Sequence, residues 1–239
     1  MRDLNNNGKK YKLVVFDLDD TLAVTGQAVL PEDVKLLKEI EKTGIKIAVC
    51  SGKPVYYLCG FMRQLGINDA IMVGENGAVI QFGISLPPRE NYFQPHPSEA
   101  DSEIDYLKKE FDKLIDNIWY QPNQVGLTPF PKNEKEFDII QNCIDENREK
   151  ITHLTVYRHG DSFDITPSGI TKYTGLEYLG KITEILRDET IAVGDGVNDY
   201  PMFGYAGLSI GVHVKNPEAV DVNFANVSDA LRYVLDVLK

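Results

Sequence analysis

Tyr11-Lys12-Leu13-Val14-Val15-Phe16-Asp17-Leu18-Asp19-Asp20-Thr21 decides more of the fold than any other stretch of this 239-residue chain. Tyr11 to Phe16 is a short, β-branched apolar run bounded by polar residues, which suits a strand buried on both faces. It runs straight into a carboxylate. Open α/β sheets place their ligand crevices at the carboxyl ends of strands, so Asp17 falls where a site is expected. Residues two apart on an extended chain point the same way, which lets Asp17 and Asp19 face one site before the chain turns. Crowded carboxylates persist where a cation neutralises them or where one of them holds a proton, and either situation suits acid–base work.

Outward from this strand the same grammar repeats. Val34, Leu37 and Ile40 are helically spaced, Pro31 is tolerated in a first turn, and Gly44 sits where a helix would stop. Ile45 to Cys50 reads as a second buried strand, Pro54 to Leu65 as a helix and Ala70 to Val73 as a short strand. Late in the chain come a helix over Thr171 to Leu186, a strand at Thr190 to Val193, an apolar segment at Leu208 to Ile210 and a helix at Ser228 to Leu238. This alternation predicts an α/β fold, a Rossmann-like parallel sheet with helices on both faces, built by both ends of the chain.

The middle differs in texture. Pro87, Pro88, Pro95 and Pro97 precede a charged helix candidate from Ser98 to Ile118, and a second proline-rich stretch runs from Gln121 to Pro131. A further helix is expected over Glu134 to Glu149. Leu154 to Tyr157 and Ser162 to Ile165 then read as strands joined by a turn at His159, Gly160 and Asp161. The expected division is a catalytic core of residues 1–81 and 168–239, with an α+β domain of residues 82–167 inserted between them.

Composition narrows the function classes. A net charge of −11, with no basic run to offset it locally, disfavours nucleic acid and anionic membrane surfaces as partners. No stretch approaches the roughly 18 apolar residues needed to span a bilayer. Met1 to Lys10 is polar and lacks the apolar centre of a secretory signal. Cys50, Cys59 and Cys143 have neither metal-ligand spacing nor an even count, so the expected compartment is the cytoplasm and the thiols read as small apolar side chains.

Three further segments carry oxygen donors or charge at predicted strand or helix ends. In Ser51-Gly52-Lys53 a hydroxyl and nearby backbone N–H groups at a strand-to-helix turn suit phosphate oxygens, and Gly52 lets the backbone come close. Gly194-Asp195-Gly196-Val197-Asn198-Asp199 sets two more carboxylates at another strand end. Hard oxygen donors from several loops suit Mg²⁺, whereas the regular donor alternation of a calcium loop is missing. Lys172 opens the helix that follows the insert. Taken singly, each segment has an ordinary reading as a capped turn or a solvated side chain.

In this order along the chain, Asp17-x-Asp19-x-Thr21, Ser51, Lys172 and Gly194-Asp195-x-x-Asn198-Asp199 resemble the haloacid dehalogenase superfamily of phosphatases. The insert between Ser51 and Lys172 is similar to the large α+β cap of one branch, which includes sugar-phosphate and archaeal phosphoglycolate phosphatases. Val73-Gly74-Glu75-Asn76-Gly77-Ala78 is similar to a segment of that branch just ahead of the cap. The resemblance implies a Mg²⁺-dependent phosphatase acting on a small phosphorylated metabolite through an aspartyl-phosphate. It makes Asp17 the nucleophile and Asp19 the general acid and base. Thr21, Ser51, Gly52 and Lys172 would bind phosphate. Asp17, Asp195 and the backbone carbonyl of Asp19 would hold the metal, supported by Asn198 and Asp199. The chain departs from the pattern at Asp20, which could add charge near the metal, at Ser51-Gly52-Lys53, and at Tyr173, which has the bulk to narrow the entrance. Gln121, Gln124, Arg158 and His159 are the candidate substrate contacts in the cap. The alternatives are a sugar phosphomutase of the same superfamily and a phospho-aspartate receiver domain. Against the receiver, the second strand ends in Ser51 where an acid would be needed.

Overall fold

The structure, a computed structural model, describes residues 10–239. The polar segment before them, read above as lacking a secretory signal and as opening the core span, lies outside the described residues. In chain order the strands are β1 (Leu13–Phe16), β2 (Lys46–Cys50), β3 (Ile71–Gly74), β4 (Val79–Phe82), β5 (Glu90–Phe93), β6 (Trp119–Gln121), β7 (Thr128–Phe130), β8 (Leu154–Arg158), β9 (Phe163–Pro167), β10 (Thr190–Gly194), β11 (Leu208–Val212) and β12 (Val222–Phe224). The helices are α1 (Pro31–Lys42), α2 (Val55–Leu65), α3 (Glu99–Leu114), α4 (Glu134–Glu146), α5 (Lys172–Thr183), α6 (Tyr200–Tyr205) and α7 (Val227–Val237).

Eight strands form the main sheet, in the order β12-β11-β10-β1-β2-β3-β4-β5. The pairings from β12 through β3 are parallel. β4 and β5 add to that edge antiparallel. The sheet is parallel from β12 through β3, as the alternation of elements predicts, and gains an antiparallel edge because the three-residue turn at Glu75–Gly77 is too short for a crossover and returns β4 beside β3. β5 lies inside the stretch expected to begin the insert, yet its pairing with β4 joins it to this sheet.

β1 occupies the centre, between β10 and β2, and alternation along it feeds two cores. Val14 and Phe16 pack with the apolar faces of α1, α2 and α7. Leu13 and Val15 pack with Leu176 and Leu179 of α5 and Met202 and Phe203 of α6. Each fully buried side chain of this kind contributes roughly 1.5–3 kcal/mol, so the strand that ends at Asp17 is held from both faces.

A third core is built by the chain segment that runs from β5 to β10. There α3 and α4 bury Leu107, Phe111, Ile140 and Ile144 against Phe163 and Ile165 of β9. The hairpins β6-β7 and β8-β9 are joined by reciprocal backbone hydrogen bonds between Leu127 and Ile165, at 2.9 and 3.0 Å. No helix among the described residues is long and apolar enough to cross a membrane.

Candidate active site

Parallel pairing brings the carboxyl ends of β1, β2 and β10 side by side, and the loops leaving them converge. The Asp17 N–H donates to the Val193 carbonyl at 2.8 Å, which extends the β1–β10 register into the first site residue. Beyond it the chain makes a tight turn: Ala23 N–H bonds the Leu18 carbonyl and Asp20 N–H bonds the Ala23 carbonyl. Asp20 sits at φ +61°, a left-handed conformation that aspartate tolerates better than most side chains. It is exposed at the turn, and its charge adds to the field on Asp195.

Lys172 is the first residue of α5, where Thr171 caps the helix by accepting from the Thr174 N–H. A cation there opposes the helix dipole, which costs about 0.3–1 kcal/mol, so something nearby must hold it. Two buried carboxylates do. Lys172 Nζ lies 2.5 Å from Asp17 Oδ1 and 2.7 Å from Asp199 Oδ1, with all three side chains at most 5% exposed. The second oxygen of Asp199 accepts the N–H groups of Asp195 and Gly196 at 3.0 and 3.1 Å, which fixes the loop after β10. Thr21 Oγ1 donates to Asp195 Oδ1 at 2.9 Å and thereby ties the loop after β1 to the loop after β10.

Carboxylate oxygens of Asp17, Asp195 and Asp199 lie within 4.8 Å of one another. Burial, reinforced by Asp199 and Asp195 and opposed by Lys172, pushes the Asp17 carboxyl up to about 7. Burial likewise raises Asp195. For Lys172, burial works against the charge, but Asp17 and Asp199 hold it well above the usual lysine range. One lysine among three carboxylates leaves the cluster short of positive charge. The set fits a hard divalent cation: it offers oxygen donors only, from separate loops, and both oxygens of Asp199 are already engaged, leaving Asp17 and Asp195 better free to coordinate.

Ser51 follows β2, the strand paired with β1, and is 2% exposed; its hydroxyl accepts the Lys53 N–H at 3.2 Å. Asp19 is half-buried and ion-pairs with Lys53 Nζ at 3.6 Å. Asn198 is exposed on the loop after β10. The Tyr173 ring packs edge-on against Tyr205, with the Arg187 guanidinium over it.

The four cap candidates separate. Gln121 is buried and donates its side-chain amide to the Gly52 carbonyl at 3.0 Å, so it meets the Ser51-Gly52-Lys53 loop through backbone. The Gln124 N–H donates to Glu75 Oε1 at 2.7 Å. His159 pairs with Asp164 at 3.2 Å. Arg158 is not brought here: its guanidinium lies over the rings of Phe137 and Phe163 and borders a groove of about 580 Å³ along α4 and β8.

Asp164 and Thr128 carry no motif that marks them as site residues, Lys53 stands only within Ser51-Gly52-Lys53, and Glu75 and Asn76 stand only within the Val73–Ala78 segment. Asp164 accepts from Asn76 Nδ2 and Thr128 Oγ1, each at 3.0 Å, and would lie 3.3 Å from a Cβ on Gly52. It alternates with the buried Phe163 and Ile165 on β9, and that period of two was the available signal for a polar face turned toward the core.

The sequence pattern of the haloacid dehalogenase-like hydrolases matches residues 14–125 and 88–223. The chain belongs to that family. A Streptococcus pyogenes protein whose name pairs phosphatase with peptidyl-prolyl cis-trans isomerase is 26% identical over 98% of this chain, which spans 55% of that relative's length. A phosphoglycolate phosphatase of Staphylothermus marinus is 22% identical over 87% of each chain. Among solved structures, a subclass IIB sugar phosphatase superimposes with a TM-score of 0.70 at 18% identity, covering 95% of this chain and 99% of the other.

Proposed function

We propose that this chain is a phosphoric monoester hydrolase that takes a small organic phosphate, a sugar phosphate or phosphoglycolate, through an aspartyl-phosphate on Asp17. The observation that carries the reading is the buried triad in which Lys172 Nζ bonds Asp17 and Asp199 together, with Asp195 alongside. The names of the relatives support the reaction class and both substrate candidates.

Asp17 and Asp195, with the backbone carbonyl of Asp19, would hold Mg²⁺, and Asp199 would orient Lys172 and the Asp195 loop. When bound, the cation supplies the positive charge the cluster lacks and favours the ionised form of its carboxylates. The chain's own residues do the rest. Asp17 attacks phosphorus, a P–O bond to its carboxylate forms, and the ester P–O bond breaks. Asp19 gives its proton to the departing oxygen. It then takes a proton from water, whose oxygen attacks phosphorus and expels the Asp17 carboxylate, releasing inorganic phosphate. Lys172, the Ser51 hydroxyl, Thr21 and the backbone around Gly52 neutralise or hydrogen-bond the phosphoryl oxygens.

The segment from residue 94 to residue 167 serves as a cap over this site. It excludes water and meets the leaving group. Three free, buried thiols suit a cytoplasmic setting.

Phosphate release from a generic aryl phosphate, then from a panel of metabolite esters, tests the reading. Release should require Mg²⁺, stop on chelation and return when the metal is restored. Undiminished release in the presence of chelator, or conversion of a hexose phosphate to its isomer without free phosphate, would contradict it.

A further inference from the structure

Glu75 is a carboxylate the mechanism does not use, yet it is 2% exposed. It lies in the turn between β3 and β4, in the core, and the three groups that hydrogen-bond its carboxylate are in the cap. Its Oε1 accepts the Gln124 N–H at 2.7 Å, and its Oε2 accepts the N–H groups of Val125 and Gly126 at 2.8 and 3.0 Å. Burying a carboxylate is costly unless its oxygens are satisfied, and here three backbone donors from one loop satisfy them. The next residue, Asn76, reaches a second cap segment, donating to Asp164 on β9 at 3.0 Å.

The backbone conformation adds an independent observation. Glu75 and Asn76 both lie in the left-handed region, at φ +53° and +56°. Asparagine adopts it readily, glutamate rarely, and such residues cost about 1–3 kcal/mol each unless the surroundings over-determine them. The surroundings here are the site itself. Glu75 N–H bonds the Lys53 carbonyl and Asn76 N–H bonds the Ser51 carbonyl, each at 3.0 Å. Gly77, at φ +107°, lies so close to the helix that carries Lys172 that a Cβ would fall 2.7 Å from the Thr171 carbonyl oxygen. One short turn thus touches the Ser51-Gly52-Lys53 loop, the start of α5, and two separate segments of the cap.

We propose that Glu75 and Asn76 are positioning residues for the hydrolysis: they set the height and tilt of the cap over the phosphate loop, and so decide which leaving groups the enzyme accepts. The role rests on the phosphatase reading above and goes beyond it by assigning selectivity to two residues of the core turn between β3 and β4. The Glu75 carboxylate can satisfy three N–H donors at once; a carboxamide in its place cannot. In Glu75→Gln an NH₂ group faces one or more of those donors, and at least one of the three N–H groups loses its acceptor. In Asn76→Asp a donor is replaced by a second carboxylate facing Asp164.

The experiment compares kcat/KM for the metabolite ester the wild type prefers and for a generic aryl phosphate, in wild type, Glu75→Gln and Asn76→Asp. Hydrogen exchange of the 121–128 amides is followed in parallel. The expected result is a fall of about 100-fold for the preferred ester, the scale of a roughly 1 Å misplacement, with the aryl phosphate changed by less than about threefold. Protection should drop in 121–128 while the amides of β1 and β10 keep theirs. Equal losses on both substrates with protection lost throughout would mean that the turn only stabilises the fold, and would overturn the role. So would an unchanged ratio in both variants, or a wild type that hydrolyses every ester alike. A wild type inert toward all esters would remove the phosphatase reading and this role together, whereas an active wild type whose ratio survives would remove the role alone.

Discussion

Two buried carboxylates, Asp17 and Glu75, are set up in opposite ways. Asp17 shares one lysine with Asp199, lies near Asp195, and has its carboxyl pushed up to about 7 by burial and like charges. Glu75 has no cation partner among its hydrogen bonds but is held by three backbone N–H groups. The first cluster remains short of positive charge, so a cation or a phosphoryl group arriving there meets groups ready to respond. The second has its oxygens occupied by backbone donors, although burial still lifts its pKa above the usual glutamate range against their pull. Burial alone therefore does not mark a reactive carboxylate. What separates the two is whether the partners are charged groups in deficit or neutral dipoles in full supply.

Breaking the charged cluster should give the largest effects. Asp17→Asn should lower turnover by at least about 10⁴-fold, because no carboxylate is left to form the phosphoryl bond, while the protein stays folded. Steady-state rates together with circular dichroism check both halves. Lys172→Met removes the cation and leaves two buried carboxylates uncompensated. Stability of the metal-free protein should fall by about 3–5 kcal/mol, the range for breaking a buried pair from one side. Denaturant unfolding with and without Mg²⁺ reads it, and the loss should be smaller with the metal present.

The smallest expected effect is at the edge of the second region. His159, about half exposed, has its pKa raised above the usual 6.5, first by its hydrogen bond to Asp164, although burial opposes the shift. Asp164 is held below the usual range: burial pushes it up, but His159, Asn76 and Thr128 outweigh that. A group with a raised folded-state pKa contributes fully below its unfolded value and loses that contribution as pH rises through the folded value. The wild type should therefore exceed His159→Gln in stability near pH 6, by less than about 1 kcal/mol after solvent screening. The difference should shrink as pH rises beyond 6.5 and through the raised value. Unfolding curves at several pH values decide it, and a difference that grows with pH would contradict the sign.

The buried parallel strands themselves were readable because β1, β2 and β10 are short apolar runs followed by polar site residues. β5 was not. Glu90-Asn91-Tyr92-Phe93 has neither alternation nor a continuous apolar run, and it becomes a strand by pairing with β4 at the sheet edge. β12, with three residues, is too short to carry a period. At the site, Asp17, Asp195 and Lys172 were visible because their types and their places at strand or helix ends imply chemistry. The part of Glu75 was not, since its partners are the N–H groups of residues 124 to 126, and a backbone donor has no letter in the sequence. Arg158 illustrates the converse: a cation beside a predicted hairpin turn suggested a ligand, but the rings of Phe137 and Phe163 take up its guanidinium.

The most direct measurement is to mix Asp19→Ala with an aryl phosphate, whose leaving group departs without a general acid, and Mg²⁺, quench in acid, and map the protein by mass spectrometry. Without Asp19 to activate water, a phosphoryl group should accumulate on the peptide containing Asp17, at a stoichiometry approaching one per chain, and be absent when Asp17→Asn is added. Phosphate released in a single turnover with no adduct on that peptide, or an adduct that persists in the Asp17→Asn background, would contradict the account.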